Sequence, residues 1–187
     1  IKQKYTNASV DIYLDSSFSQ LSKLVDKKNT VIITDENIFS VHRAVFKNWN
    51  VITLKPGEAF KIQLTADAII EQLIGFQADR ATTLVGVGGG VVTDLTGYVA
   101  SIYMRGIQFG FVPTSLLAMV DASIGGKNGV DVGAYKNLVG SIRQPAFLLY
   151  DYSFLKTLPE IEWSNGFAEI IKHACILDQS SFKLLMR

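Results

Sequence analysis

Thr83-Leu84-Val85-Gly86-Val87-Gly88-Gly89-Gly90, running on through Val91-Val92-Thr93-Asp94-Leu95 to Tyr103, is the stretch that decides the fold. Residues 83–87 are apolar or β-branched, as a strand buried on both faces requires. Three glycines then punctuate the chain, and residues 92–103 take up a helical period. Glycine permits positive φ and lets a ligand approach with no Cβ in the way. The unpaired N–H groups and positive end of the following helix favour a phosphate or pyrophosphate. The spacing is not the dinucleotide fingerprint: Gly86 and Gly88 fit its first two places, but Val91 stands at the third. Nor is it a Walker loop, since no Lys-Ser/Thr pair follows. Alone, such a junction either seats a phosphate or makes a tight turn with close helix–sheet packing.

Further out, short β-branched runs at residues 10–14, 31–34, 51–54, 109–112 and 147–150 read as strands. Helical periods at 18–27, 38–47 and 62–74 lie between them, and a short apolar helix is expected at 116–120. Strands alternating with helices need crossover connections, which predicts an α/β, Rossmann-like, doubly wound and mostly parallel sheet. Ligands of such sheets bind at the carboxyl ends of strands. Asp35-Glu36-Asn37 and Pro56-Gly57-Glu58-Ala59-Phe60-Lys61 fall there, a carboxylate and an amide suited to ribose hydroxyls among them. Each could equally be ordinary turn chemistry.

The balance of 18 basic against 17 acidic residues, 18 − 17 = +1, supplies no general field for nucleic acid or an anionic membrane. With 48% hydrophobic and 19% charged residues, the chain is suited to a packed core rather than to disorder. Its single cysteine, Cys175, can form no internal disulfide and suits a reducing compartment; on an apolar helix face it reads as a core thiol. Residues 81–104 are weakly charged, but Asp94 and five glycines interrupt them, so no spanning helix is expected. Ile1-Lys2-Gln3-Lys4-Tyr5 leads into no apolar run, and the expectation is a soluble, cytoplasmic domain.

Two polar regions carry candidate chemistry. Asp121 and Lys127 flank a Gly125-Gly126 hinge in a stretch that reads as a loop and continues to Lys136-Asn137, with Arg105 just upstream. Lysines beside glycines suit phosphate or carboxylate groups, or are ordinary solvated surface charges. Glu169 and Lys172 share a helix face, with His173 near it. Glu169 and His173 alone are too few for a catalytic metal, which wants three protein ligands. Thr157-Leu158-Pro159-Glu160 has a helix-start pattern, and residues 160–187 are helical in period with no strand returning. The division expected is an α/β domain over 1–157 and, over 158–187, the first helices of a truncated helical domain.

The runs GVGGGVVTDLTGYVASIYMRG, FVPTSLLAMVDASIGGKNGVD, KNLVG, FLKTLPE and GFAEIIKH, with Asp35-x-Asn37 and Pro56-Gly57-Glu58 to Lys61, closely resemble the 3-dehydroquinate synthase family of sugar phosphate cyclases. The likeness covers essentially the whole chain, and several motifs keep their order. It implies an NAD-binding α/β domain followed by a helical domain, with the active site between them. The cofactor would be held by Asp35, Asn37, Glu58, Lys61, Gly89, Gly90, Val91, Asp94, Thr114, Ser115, Lys127, Lys136, Phe154, Leu155, Lys156 and Thr157. Arg105, Asp121, Lys127, Asn137 and Lys172 would meet a sugar phosphate. Glu169 would hold zinc or cobalt together with two histidines that the family carries further along. His173 corresponds to neither, so the chain alone is expected to bind metal poorly and to be inactive. Thr93 and Ser115 depart from the family pattern, standing where glycine and threonine are usual.

The activity implied is conversion of 3-deoxy-arabino-heptulosonate 7-phosphate to 3-dehydroquinate and phosphate, on the route to aromatic amino acids, by a homodimer. Hydride leaves to NAD⁺ and later returns, so the cofactor is recycled; elimination of phosphate and an aldol closure lie between. Another sugar phosphate cyclase, a metal-dependent NAD polyol dehydrogenase or a non-catalytic NAD-binding module are the competing readings.

Overall fold

Val31, Ile32 and Ile33 are apolar at three successive positions, so a strand through them needs cover on both faces. The computed structural model, which describes residues 1–5, 8–177 and 179–186, provides that cover. Nine strands are described: β1 (Lys2–Tyr5), β2 (Ala8–Tyr13), β3 (Thr30–Asp35), β4 (Asn50–Leu54), β5 (Thr83–Gly88), β6 (Gln108–Pro113), β7 (Lys127–Val132), β8 (Tyr135–Ile142) and β9 (Phe147–Leu149). Seven form one sheet in the order β1-β2-β9-β6-β5-β3-β4, parallel throughout except for the β1–β2 pair. β7 and β8 form a separate antiparallel hairpin. The helices are α1 (Leu21–Leu24), α2 (Glu36–Val41), α3 (Gln63–Gly75), α4 (Gly90–Ile102), α5 (Glu160–Leu177) and α6 (Gln179–Leu185). This is the α/β, mostly parallel sheet that the alternation predicts.

The two faces of the sheet are sorted by strand parity. Ile33, Leu84, Phe109 and Phe111 pack with Ile69 and Leu73 of α3 and Leu95 and Val99 of α4. Ile32, Val85, Val87, Val112 and Leu149 pack with Phe18, Leu21, Phe46 and Phe154. Close approach explains two glycines. A Cβ on Gly86 would lie 2.8 Å from the Thr96 hydroxyl of α4, and one on Gly97 would lie on top of the Asn128 side chain of β7. Gly97 therefore lets the hairpin lie against α4. At the other end of the chain, α5 docks through Gly166, whose Cβ would sit 2.5 Å from that of Leu116.

β4 lies on one side of β3, and β5 lies on the other. The connections diverge there, opening a crevice at the carboxyl ends of β3 and β5. The site is built in it.

Several elements differ from expectation. The helix expected over 18–27 is a 3-10 turn (Phe18–Gln20) and one α-helical turn, because Val25 is extended and Asp26 caps a second 3-10 turn through the amide of Lys28. The helix expected over 38–47 breaks at His42, continuing as a 3-10 turn (Arg43–Phe46). Residues 127–142, whose composition reads as a polar loop, are the β7–β8 hairpin, and β1 has no counterpart among the expected strands. Cys175 is exposed rather than a core thiol. The helical stretch expected over 160–187 is present in α5 and α6; Asp178 and Arg187 lie outside the described residues. Among the described residues no helix is long and apolar enough to cross a membrane.

Candidate nucleotide-binding and metal-binding site

The glycine corner forms the floor of a cleft of about 1290 Å³. None of Gly86, Gly88, Gly89 or Gly90 has positive φ, so conformational freedom is not what the turn uses. Space is. A Cβ on Gly88 would lie 2.6 Å from the side chain of Val92, whereas Gly89 and Gly90 face the cleft with only Ser115 and Ala122 nearby. Gly89 is the N-cap of α4 and makes no side-chain cap, which leaves the first-turn amides of Gly90 and Val91 for a ligand. Thr93 is fully buried and donates its hydroxyl to the carbonyl of Gly90 at 3.0 Å. It braces the corner from behind.

On the β3 side, Asp35 lines the cleft and caps α2 through the amide of Ile38 at 3.0 Å. Burial raises its pKa. The turn chemistry and the cleft position thus coexist in one residue. On the far side, Glu58 follows Gly57, whose φ of +105° suits glycine, and reaches Lys136 of β8 at 3.5 Å across the cleft mouth.

One turn into α4, Asp94 meets the ammonium of Lys61 at 2.5 Å; the side chains are 16% and 6% exposed. Burial pushes the Asp94 carboxyl up to about 6, against the opposing pull of Lys61. Lys61 also donates to Oδ1 of Asn137 at 2.6 Å. A positive charge nearly enclosed by protein is thereby held by two oxygens at the cleft wall.

A third group closes the cleft from the helical end. Asp121, on a π-helical turn (Ala118–Ala122), and Glu169 and His173 of α5 each offer a donor atom, all within 4.8 Å of one another. His173 Nε2 lies 3.5 Å from Asp121 Oδ1, is shielded from solvent and has no hydrogen-bond partner among the described residues. Glu169 pairs with Lys172 one turn along α5. An imidazole nitrogen and two carboxylates fit a divalent transition metal such as zinc or cobalt. Glu169 and His173, too few by themselves, are joined by Asp121, which only the tertiary fold brings near.

Of the residues singled out in the sequence, the cleft gathers Asp35, Asn37, Glu58, Lys61, Gly89, Gly90, Val91, Asp94, Thr114, Ser115, Asp121, Lys127, Lys136, Asn137, Phe154, Thr157 and Glu169. Leu155, Lys156, Arg105 and Lys172 are not in its lining. Leu155 packs against the core, and Lys172 is joined to the site by its ion pair with Glu169. Arg105 follows the C-terminal end of α4, whose 13 residues put it roughly 20 Å from the glycine corner. Sequence reasoning missed the contact of His42 Nε2 with Thr157 Oγ1 at 2.8 Å, because 115 residues separate them.

Fold and site together define an α/β domain with a glycine-floored cleft at the sheet's switch point, an enclosed lysine–aspartate pair and a candidate divalent-metal cluster. The chain belongs to the family described as 3-dehydroquinate synthase N-terminal, which matches residues 51–165. It is 40% identical over 185 residues to the 3-dehydroquinate synthase of a Nitratiruptor species, a match that covers 96% of this chain and 52% of that protein. The chain thus spans about half the length of the curated relatives it matches. Among solved structures it resembles 2-epi-5-epi-valiolone synthase from Streptomyces hygroscopicus subsp. jinggangensis 5008 with NAD⁺ and Zn²⁺ bound (TM-score 0.87, 27% identity, 98% of this chain and 54% of that one). It also resembles 2-deoxy-scyllo-inosose synthase complexed with carbaglucose-6-phosphate, NAD⁺ and Co²⁺ (TM-score 0.83, 26% identity, 95% and 52%).

Proposed function

We propose that this chain is the cofactor-binding half of a 3-dehydroquinate synthase, acting on 3-deoxy-arabino-heptulosonate 7-phosphate. The observation that carries the reading is the convergence of the family's motif residues, scattered from Asp35 to Glu169, on one cleft at the sheet's switch point. The volume exceeds the roughly 300–1,000 Å³ of ordinary small-molecule pockets, leaving room for a dinucleotide and a second ligand.

In this reading the amides of Gly90 and Val91 meet the NAD⁺ pyrophosphate, and Asp35 accepts from ribose hydroxyls. Thr114 and Ser115 flank the corner, and Lys61 with Asp94 holds the cofactor beyond it. Lys127 and Asn137 stand at the side of the cleft where the sugar phosphate would lie, and orient it by charge and hydrogen bonding. Glu169 would hold the divalent ion with the two histidines that the family carries further along, and within this chain Asp121 and His173 offer the neighbouring donors; when bound, the ion would polarise a substrate hydroxyl. Within the two-part organisation, 1–157 carries the cofactor and 158–187 opens the helical part. The same reading includes a cytoplasmic homodimer.

Calorimetry of the purified chain with NAD⁺ tests the reading. Gly89, at φ −79° and ψ −167°, has a backbone any residue adopts, so Gly89→Val should fold normally while filling the corner. The expected result is saturable binding by the unaltered chain, weakened at least about tenfold in the variant, a loss of about 1.4 kcal/mol. Equal affinity for both would remove the glycine corner from the site.

A further inference from the structure

Lys136 and Asn137 reach the cleft because the β7–β8 hairpin is irregular where they occur. Val130 pairs with Val139, yet Val132 pairs with Tyr135, so a single residue, Asp131, stands opposite three on β8. Such a bulge re-aims side chains out of the regular ladder. Asp131 does not line the cleft itself.

Its backbone and side chain are both spent on the bulge. The amide of Asp131 leaves the hairpin and donates to the carbonyl of Lys61 at 2.7 Å, beside an isolated bridge to Ile62. Its carboxylate accepts the amide of Asn137 at 2.7 Å. Asn137 sits at φ +54°, a left-handed conformation that costs a non-glycine residue energy and needs local support. The circuit closes when Lys61 Nζ donates to Asn137 Oδ1 at 2.6 Å while paired with Asp94. Asp131, Asn137 and Lys61 thus form one ring of bonds, with Asp94 joined to it through Lys61. Of these residues, Asp131 alone stays out of the cleft lining.

We propose that Asp131 is a positioning residue that holds the bulge in the shape presenting Lys136 and Asn137 to the cleft and fixing Lys61 beside Asp94. This rests on the reading of the cleft as the NAD⁺ site. Its requirement is an acceptor oxygen at this position, not a negative charge, so Asn should serve where Ala cannot.

The test compares the unaltered chain with Asp131→Ala and Asp131→Asn by amide hydrogen exchange and by NAD⁺ calorimetry. In Asp131→Ala the Asn137 amide should exchange at least about tenfold faster and NAD⁺ should bind about tenfold more weakly. Asp131→Asn should restore both to within about threefold of the unaltered chain, which a loss of general stability would not do. Unchanged exchange at Asn137 in Asp131→Ala, or unchanged NAD⁺ affinity alongside faster exchange, would overturn the proposal. So would an Asn variant as impaired as the Ala variant. If the unaltered chain fails to bind NAD⁺, the cofactor reading falls, and the exchange comparison still decides whether Asp131 shapes the bulge.

Discussion

Replacing Asp94 with Asn should remove a contribution through which acid stabilises this protein. The carboxyl titrates near 3.8 when unfolded and is pushed up to about 6 in the fold, chiefly by burial. Between those values the native state binds more protons than the unfolded chain, so Asp94 makes stability fall as pH rises. Most paired carboxylates act in the opposite sense, which makes the signature easy to recognise. At pH 7.5 Asp94 is ionised in both states, and its burial is fully felt. At pH 5 it is about nine-tenths protonated in the fold while ionised in the unfolded chain, a linkage gain of roughly 1.4 kcal/mol. Urea unfolding at both pH values, for the unaltered chain and Asp94→Asn, isolates this contribution, because every other ionisable group is common to both proteins. The stability difference between unaltered chain and variant should move by roughly 1.4 kcal/mol in favour of the unaltered chain between pH 7.5 and pH 5. A difference that stays constant would mean that Lys61 cancels the effect of burial, and one that moves the other way would mean that Lys61 outweighs it, as in an ordinary ion pair.

Two further outcomes follow from the packing and the donor cluster. Gly97→Ala places a Cβ on Asn128 and should cost about 1–3 kcal/mol in thermal unfolding as α4 and β7 are forced apart; a melting curve identical to that of the unaltered chain would contradict the close contact. Titration of the chain with Co²⁺, followed by visible absorption, should show uptake of one ion, with Asp121→Ala and His173→Ala each weakening it at least about tenfold; superimposable titrations would dismiss the cluster as a metal site.

The sheet was legible because its strands carry their own signal. Val31 to Thr34, Leu84 to Val87 and Phe109 to Val112 are β-branched or aromatic runs bounded by turns, and any packed arrangement must bury them. The hairpin was not legible, since Gly125, Gly126, Gly129 and Lys127 carry the composition of a loop. What makes residues 127–132 a strand is the surface of α4 bared by Gly97, a tertiary cause. The alternation of Val130 and Val132, with Gly133-Ala134 before Tyr135, was the available sign. Glycine-rich motif residues at the cleft could be found from their order along the chain. The contribution of Asp121 to the donor cluster could not, since it lies far upstream of Glu169 and His173 and no spacing rule joins them.

Helix α4 is wedged on several sides at once: Thr96 fits beneath Gly86, Val92 over Gly88, and Asn128 against Gly97. It has no slack in which to slide or tilt without collision. Changes in what the cleft accepts must therefore arise around this fixed post, in the segments that carry Asp35 and Asn37, Glu58, and the hairpin tip with Lys136 and Asn137. Those outer pieces can be exchanged, one turn or one residue at a time, while the anchor for the phosphates stays where the sheet has locked it.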